Sequence, residues 1–227
     1  MAPSPEAHNP LICALDSDDR SQIMRWTDDL GAVAGHLKVG LQAYTAFGPD
    51  LVCEVTAAAP VFLDVKLHDI PNTVAGAATA AADLGVAMLT VHASGGPQMI
   101  AAATKAAPDV AILAVTVLTS LDDEILSAVG QRSVTSQVLR LAELAVDAGA
   151  AGIVCAGPDI ARVRRVVGSH ALVVVPGIRP AGTDTHDQAR VATPHQALSA
   201  GATHIVVGRP ITGAADPAAA AQAILSA

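Results

Sequence analysis

Aromatic side chains are nearly missing from this chain: Phe, Tyr and Trp make up only 2% of its 227 residues. A core without large rings must draw its bulk from Ala, Val, Leu and Ile, and a hydrophobic content of 52% supplies enough for one continuous core. That bias suits helices packed on a parallel sheet, with Val and Ile in the strands and Ala letting helices approach closely. Cysteine is scarce too. Cys13, Cys53 and Cys155 are odd in number, widely spaced and without a CxxC pair. Neither a disulfide framework nor a zinc site is expected from them, and reduced core thiols in a cytoplasmic protein are the plain reading.

Positive charge is outnumbered, with 13 Lys and Arg against 21 Asp and Glu and a net charge of −8. Such a surface disfavours nucleic acid, and an anionic small substrate would need a local positive pocket. Long apolar runs are lacking as well. The span from Leu84 to Ala103 carries no charge, but His92, Ser94 and Gly95-Gly96-Pro97 interrupt it, so it reads as strand, loop and helix and not as a membrane span. The opening MAPSPEAHNP has neither the basic start nor the apolar segment of a signal peptide, and residues 1–10 are expected to form a loose tail.

What is present is a series of short apolar runs separated by helical patterns. Strands are expected at Leu11 to Leu15, His36 to Leu41, Val61 onward, Ala87 to His92, Val110 to Leu118, Ala151 to Cys155, Ala171 to Val175 and His204 to Val207. Helices are expected from Ser17–Asp19 to Leu30, from Pro49 to Ala58, from Thr73 to Leu84, from Gly95-Gly96 to Ala106, from Gln137 to Ala148, from about Pro158 (with Arg162, Arg164 and Arg165) and from Asp216 to Leu225. Eight such units with no break in composition predict one α/β domain over residues 11–227, a (β/α)8 TIM barrel, with an open doubly wound sheet as the competing architecture. Asp16, Lys38, Asp64, Lys66, His92, Thr119, Arg179 and Arg209 all fall at or just past strand C-terminal ends. Closure would bring them to one mouth, whereas an open sheet would spread them along an edge.

The most informative stretch is VFLDVKLHDIPNT, Val61 to Thr73. Asp64 and Lys66, two apart in a strand, face the same side of the pleat, and Asp69 follows before Pro71 sets the first turn of a helix. Charges are costly to bury unpaired, so this cluster is either a structural ion pair or working chemistry. Lys38 joins it from the neighbouring strand, with Asp16 beyond. In an alternating acid-base array each ammonium lies between carboxylates and stays charged, which makes a good general acid and a poor Schiff-base nucleophile.

At the other end of the chain, Pro176 to Pro194 forms a long polar loop carrying Arg179 and Gln188, a length that suits a lid. Gly208-Arg209-Pro210 closes the eighth strand, where barrels commonly hold phosphate; a helix-starting turn with a solvated arginine is the plainer alternative. His92 reads as a strand-end histidine and His186, His195 and His204 as structural or solvated. No metal is expected, because a lysine stands among the carboxylates.

At DVKLHDIPNT the chain resembles the orotidine 5′-phosphate decarboxylase family, and ALDSDD, LKVG, VTVLTS, PGIRP and VVGRP extend the resemblance over nearly its whole length. The resemblance implies a (β/α)8 barrel, a homodimer with sites at the interface, and decarboxylation of orotidine 5′-monophosphate to UMP with no metal or organic cofactor. Lys66 would then be the proton donor to C6, with Lys38, Asp64 and Asp69 completing the charged array. Asp69 and Thr73 would reach into the partner's site. Asp16 and Lys38 would bind ribose hydroxyls, Thr119 would contact the pyrimidine, and Gln188 would bridge base and phosphate. Gly208, Arg209 and Arg179 would hold the phosphate, and Ile70 and Pro176 complete the substrate-contacting set. The competing functions are a magnesium-dependent sugar-phosphate enzyme of related fold, a Schiff-base aldolase using Lys66 or Lys38, and a non-catalytic nucleotide-binding barrel.

Overall fold

Eight apolar runs form eight parallel strands that close into a barrel in chain order, β1 pairing with both β2 and β8. They are β1 (Leu11–Ala14), β2 (His36–Gly40), β3 (Val61–Leu67), β4 (Met88–His92), β5 (Ala111–Val115), β6 (Gly152–Val154), β7 (Leu172–Val175) and β8 (His204–Val207). The computed structural model describes residues 9–179 and 192–226. Closure removes the open-sheet alternative.

The alternation within each strand sorts side chains into two cores. Leu11, Cys13, Leu37, Val39, Val61, Leu63, Leu89 and Val91 face outward into the layer between barrel and helices. Ile12, Phe62, Leu113 and Val174, one from each odd-numbered strand, pack inside the barrel with Ala14, Met88 and Val206. Fully burying a side chain of this size is worth roughly 1.5–3 kcal/mol, so both layers resist rearrangement. Burial pushes the Cys13 thiol up to about 12, which suits an inert core residue.

The helices begin where the local chemistry asks them to. Asp19 caps the helix Arg20–Leu30, its Oδ1 accepting from the N–H groups of Ser21 and Gln22. Pro71, Pro97 and Pro217 open the helices Pro71–Asp83, Pro97–Ala106 and Pro217–Leu225, where a missing N–H costs nothing. Val134–Asp147 and Ile160–Val167 cover the sheet after β5 and β6. Arg164, one of the three arginines on the latter, donates to the carbonyls of Gly168, Ala171 and Gly201 and so ties this helix to the approaches to β7 and β8.

Several boundaries differ from expectation. The helix after β2 starts at Leu41, not at Pro49; Gly48, at φ 66°, breaks it and Pro49 restarts it, giving Leu41–Thr56. Strand β5 ends at Val115; Thr116 still donates to the Val154 carbonyl, and Val117 and Leu118 lie beyond the strand. Short helices at Asp123–Ala128 and Pro194–Ser199 were not anticipated, and Gly208-Arg209-Pro210 does start a short helix, Arg209–Thr212, as the plainer reading of that turn has it. Asn9 and Pro10, assigned to the tail from the sequence, are tied to the barrel floor: Asn9 Nδ2 donates to the Val33 carbonyl, and the Ile205 N–H donates to Pro10.

Candidate active site

A cavity of about 530 Å³ opens at the C-terminal ends of the strands. Asp16, Lys38, Asp64 and Lys66, at the ends of β1 to β3, line one side; Pro176, Arg179, Gly208 and Arg209, after β7 and β8, line another. Between them Val115, Val117, Leu118, Thr119, Val154 and Cys155 form a largely apolar wall, with Phe62 and Val206 beneath. An apolar wall beside two charged groups of residues can take a ring with polar substituents.

The four charged residues on the first side make a continuous array. Lys38 Nζ lies 3.1 Å from Asp16 Oδ1 and 3.7 Å from Asp64 Oδ2, and Lys66 Nζ donates to Asp64 Oδ1 at 2.8 Å. Lys38 is 8% exposed, which is far from the solvated position a lone strand lysine takes. Burial by itself would raise the pKa of Asp64. The ammonium groups of Lys38 and Lys66, with hydrogen bonds from Lys66 and Thr90, outweigh burial and hold this carboxyl below its ordinary value.

Local backbone geometry makes this crowding possible. The β3–β4 pairing shifts between Leu63 and Leu67, where two extra residues of β3 bulge out, and Lys66 there has φ 51°. That left-handed conformation costs a non-glycine residue roughly 1–2 kcal/mol. Asp64, in register with Gly40 of β2, faces the cavity by the expected pleat alternation, whereas Lys66 reaches the same cavity from the bulge. Gly40 gives room on the other side: a Cβ there would lie 2.6 Å from Asp16 Oδ1 and 2.7 Å from Lys38 Nζ.

The family model described as Orotidine 5'-phosphate decarboxylase / HUMPS family matches residues 9–224. The chain belongs to that family. It is 52% identical over 218 residues to the orotidine 5'-phosphate decarboxylase of Thermobifida fusca, an alignment covering 95% of this chain and 94% of the relative. To the enzyme of the same name from Anaeromyxobacter sp. (strain K) it is 59% identical over 220 residues, covering 94% and 96%. The crystal structure of orotidine 5'-phosphate decarboxylase from Lactobacillus acidophilus superposes with a TM-score of 0.85 at 38% identity, covering 96% of this chain and 98% of that one.

Of the residues named from the resemblance to the decarboxylase family, Asp16, Lys38, Asp64, Lys66, Thr119, Pro176, Arg179, Gly208 and Arg209 line the one cavity. Asp69, Ile70 and Thr73 do not: all three are exposed, and Asp69 Oδ1 accepts the N–H of Ile70. Within 4 Å the Lys66 ammonium has Asp64 as its carboxylate partner among the described residues. Gln188 lies outside the described residues, although the two ends of its loop meet, with Ile178 bridging Ala192 and the Arg179 N–H donating to the Ala192 carbonyl.

The structure adds Gln42, Leu118, Cys155 and Thr212 to the cavity; Leu118 stands in the VTVLTS stretch, and the other three carry no signal apart from a place near a strand end. Thr90 is the other addition; an inward-facing polar residue two before His92 was the available clue. His92 packs against His68, ring centroids 5.4 Å apart, and its pKa is lowered first by burial, then by His68 and Lys66, against Asp64. Among the described residues no three His, Cys, Asp or Glu side chains group as a metal ion would need, and no helix is long and apolar enough to cross a membrane.

Proposed function

We propose that this chain is a carboxy-lyase converting orotidine 5′-monophosphate to UMP and carbon dioxide, the last step of UMP biosynthesis, without a metal or organic cofactor. The observation that carries the reading is the Asp16–Lys38–Asp64–Lys66 array at one end of a cavity whose other end presents Arg179, Gly208 and Arg209. Carboxylates with ammonium groups at one part of the cavity and guanidinium groups at another, with an apolar wall beside them, suit a pyrimidine nucleotide lying with its base at the array and its phosphate at the arginines.

In this reading the bond from C6 to the carboxyl carbon breaks, carbon dioxide leaves, and the electron pair stays on C6. Little resonance is available to that carbanion, so stabilisation has to come from a positive group already in place. The Lys66 ammonium, fixed by Asp64, supplies it and then transfers a proton to C6. The substrate carboxylate would lie beside the Asp64 carboxylate, and departure of carbon dioxide relieves that repulsion. Asp16 and Lys38 would take the ribose hydroxyls; Thr119 and Pro176 would face the base. Phosphate bound by Gly208, Arg209 and Arg179, with Gln188 closing over it, would turn remote binding into order at the array.

The same reading makes the enzyme a homodimer in which Asp69 and Thr73 serve the partner's site. Leu41 and Ile70, beside the ends of β2 and β3, are 57% and 66% exposed, and the second carboxylate expected beside Lys66 would arrive from the other subunit. A cytoplasmic location fits three free cysteines, two of them buried. The test is direct: purified protein with orotidylate should lose the substrate's ultraviolet absorbance and release one carbon dioxide per UMP formed. No change in absorbance at micromolar enzyme would overturn the reading.

A further inference from the structure

Beneath the charged array lies a hydroxyl with two fixed partners. Thr90, in the middle of β4, is 0% exposed; its Oγ1 donates to Asp64 Oδ1 at 3.0 Å and accepts the backbone N–H of Lys66 at 2.9 Å. A hydroxyl has one proton to give, an ionised carboxylate can only accept, and a backbone N–H can only donate. Both bonds therefore have a determined direction, and the hydroxyl has one orientation.

We propose that Thr90 is a positioning residue for the decarboxylation, a clasp that holds the Lys66 ammonium and the Asp64 carboxylate at their working separation. The proposal rests on the decarboxylase reading for its kinetic consequence. Its structural basis is independent of that reading. The bulge between Leu63 and Leu67 takes Lys66 out of the regular ladder and into a left-handed backbone, and the Thr90 hydroxyl gives its N–H a partner. The Asp64 oxygen that Thr90 orients is the same one that receives Lys66 Nζ. One side chain thus fixes both the backbone from which the lysine starts and the carboxylate on which it ends. A threonine serving only as a β-branched wall residue would be replaced without loss by valine, which has the same shape.

The experiment compares Thr90→Val with Thr90→Ser, measuring kcat and KM for orotidylate, the Kd for UMP, and exchange of the Lys66 amide proton. For Thr90→Val, kcat should fall about a hundredfold, as expected when reacting groups are misplaced by about an ångström. The UMP Kd should move less than about threefold, since Thr90 touches no ligand. The Lys66 amide should exchange faster. Thr90→Ser should restore both the rate, to within about threefold, and the amide protection. Thr90→Ala repeats the measurement if Thr90→Val does not fold. A Thr90→Val enzyme at wild-type kcat, or a Thr90→Ser enzyme as impaired as Thr90→Val, overturns the clasp. Inactivity of the wild-type chain on orotidylate, with Lys66 released by Thr90→Val, would break the functional reading and leave the clasp standing.

Discussion

Lys66 Nζ meets Asp64 Oδ1 at 2.8 Å from a backbone that has left the regular strand, at φ 51°. Such conformations persist only where the surroundings over-determine them, and here the surroundings are the bulge, Thr90 and the paired carboxylate. The fold accepts local strain to hold an ammonium at a cavity wall, a placement that packing alone would not favour.

Removing that ammonium separates chemistry from binding. Lys66→Ala should lower kcat by ~10³-fold or more, the scale lost with a central proton donor and charge stabiliser. UMP should still bind, because Arg179, Gly208 and Arg209 are untouched. Steady-state kinetics with a UMP titration checks both halves, and a near-normal rate would remove Lys66 from the mechanism.

Asp64 governs the response to acid. Its folded pKa lies below the ordinary value, burial being outweighed by Lys38 and Lys66. A carboxyl depressed in this way contributes stability above its unfolded pKa and loses it as pH falls through the folded one. The loss therefore belongs to acid solution, below about pH 4. Urea midpoints of the wild type should drop more steeply as pH falls below about 4 than those of Asp64→Asn, which lacks the titrating group. Equal slopes would mean that the array adds nothing at this site.

Much of the site could be read from the sequence because its charged residues interrupt apolar runs: Asp16, Lys38, Asp64 and Lys66 are conspicuous where Val and Ile are the rule. The eight strands were visible because their apolar runs stand apart from the polar and helical stretches between them. Thr90 carried only the weak signal of an inward-facing polar residue two before His92, since threonine is an ordinary strand former and its role depends on a bulge that no spacing announces. Pro49 misled because it restarts a helix that Leu41 had already begun. The helix Pro194–Ser199 carries its signal in Thr193 and Gln196, which form a capping box, but at six residues it is too short to show helical periodicity. Asp69 was read as the third charge of the cluster because it follows Lys66 so closely, and Thr73 was named through the family resemblance; a single chain leaves both outside the cavity.

Gly40 tests how tightly the array is packed. Its backbone is ordinary extended chain, φ −88° and ψ 176°, so Gly40→Ala should leave stability within about 1 kcal/mol of wild type. The added methyl would meet Asp16 Oδ1 and Lys38 Nζ inside contact distance and push the pair apart. A loss of roughly tenfold or more in kcat/KM with an unchanged Tm is expected. Full activity would show that Lys38 can move without consequence.

Metal dependence is settled by chelation. Lys66 and Lys38 already place positive charge at the array, so a divalent ion there would compete with them for Asp64. Activity should be unchanged after exhaustive chelation and desalting. Reversible loss, restored by magnesium, would favour the sugar-phosphate chemistry instead.

The remaining question is which subunit supplies Asp69. In one chain Asp69 is exposed and bonded to its own loop, while Lys66 has a single carboxylate within 4 Å among the described residues. If Asp69 completes the partner's array, Lys66→Ala and Asp69→Ala should each be nearly inactive alone yet complement each other. In a mixed dimer the site built on the Asp69→Ala chain keeps its own Lys66 and receives the intact Asp69 of the other chain, while the second site has neither. Random exchange makes half of the dimers mixed, each with one whole site, so about a quarter of wild-type activity should return after co-refolding equal amounts. If Asp69 acts within its own chain, every site in the mixture lacks one group and no activity returns.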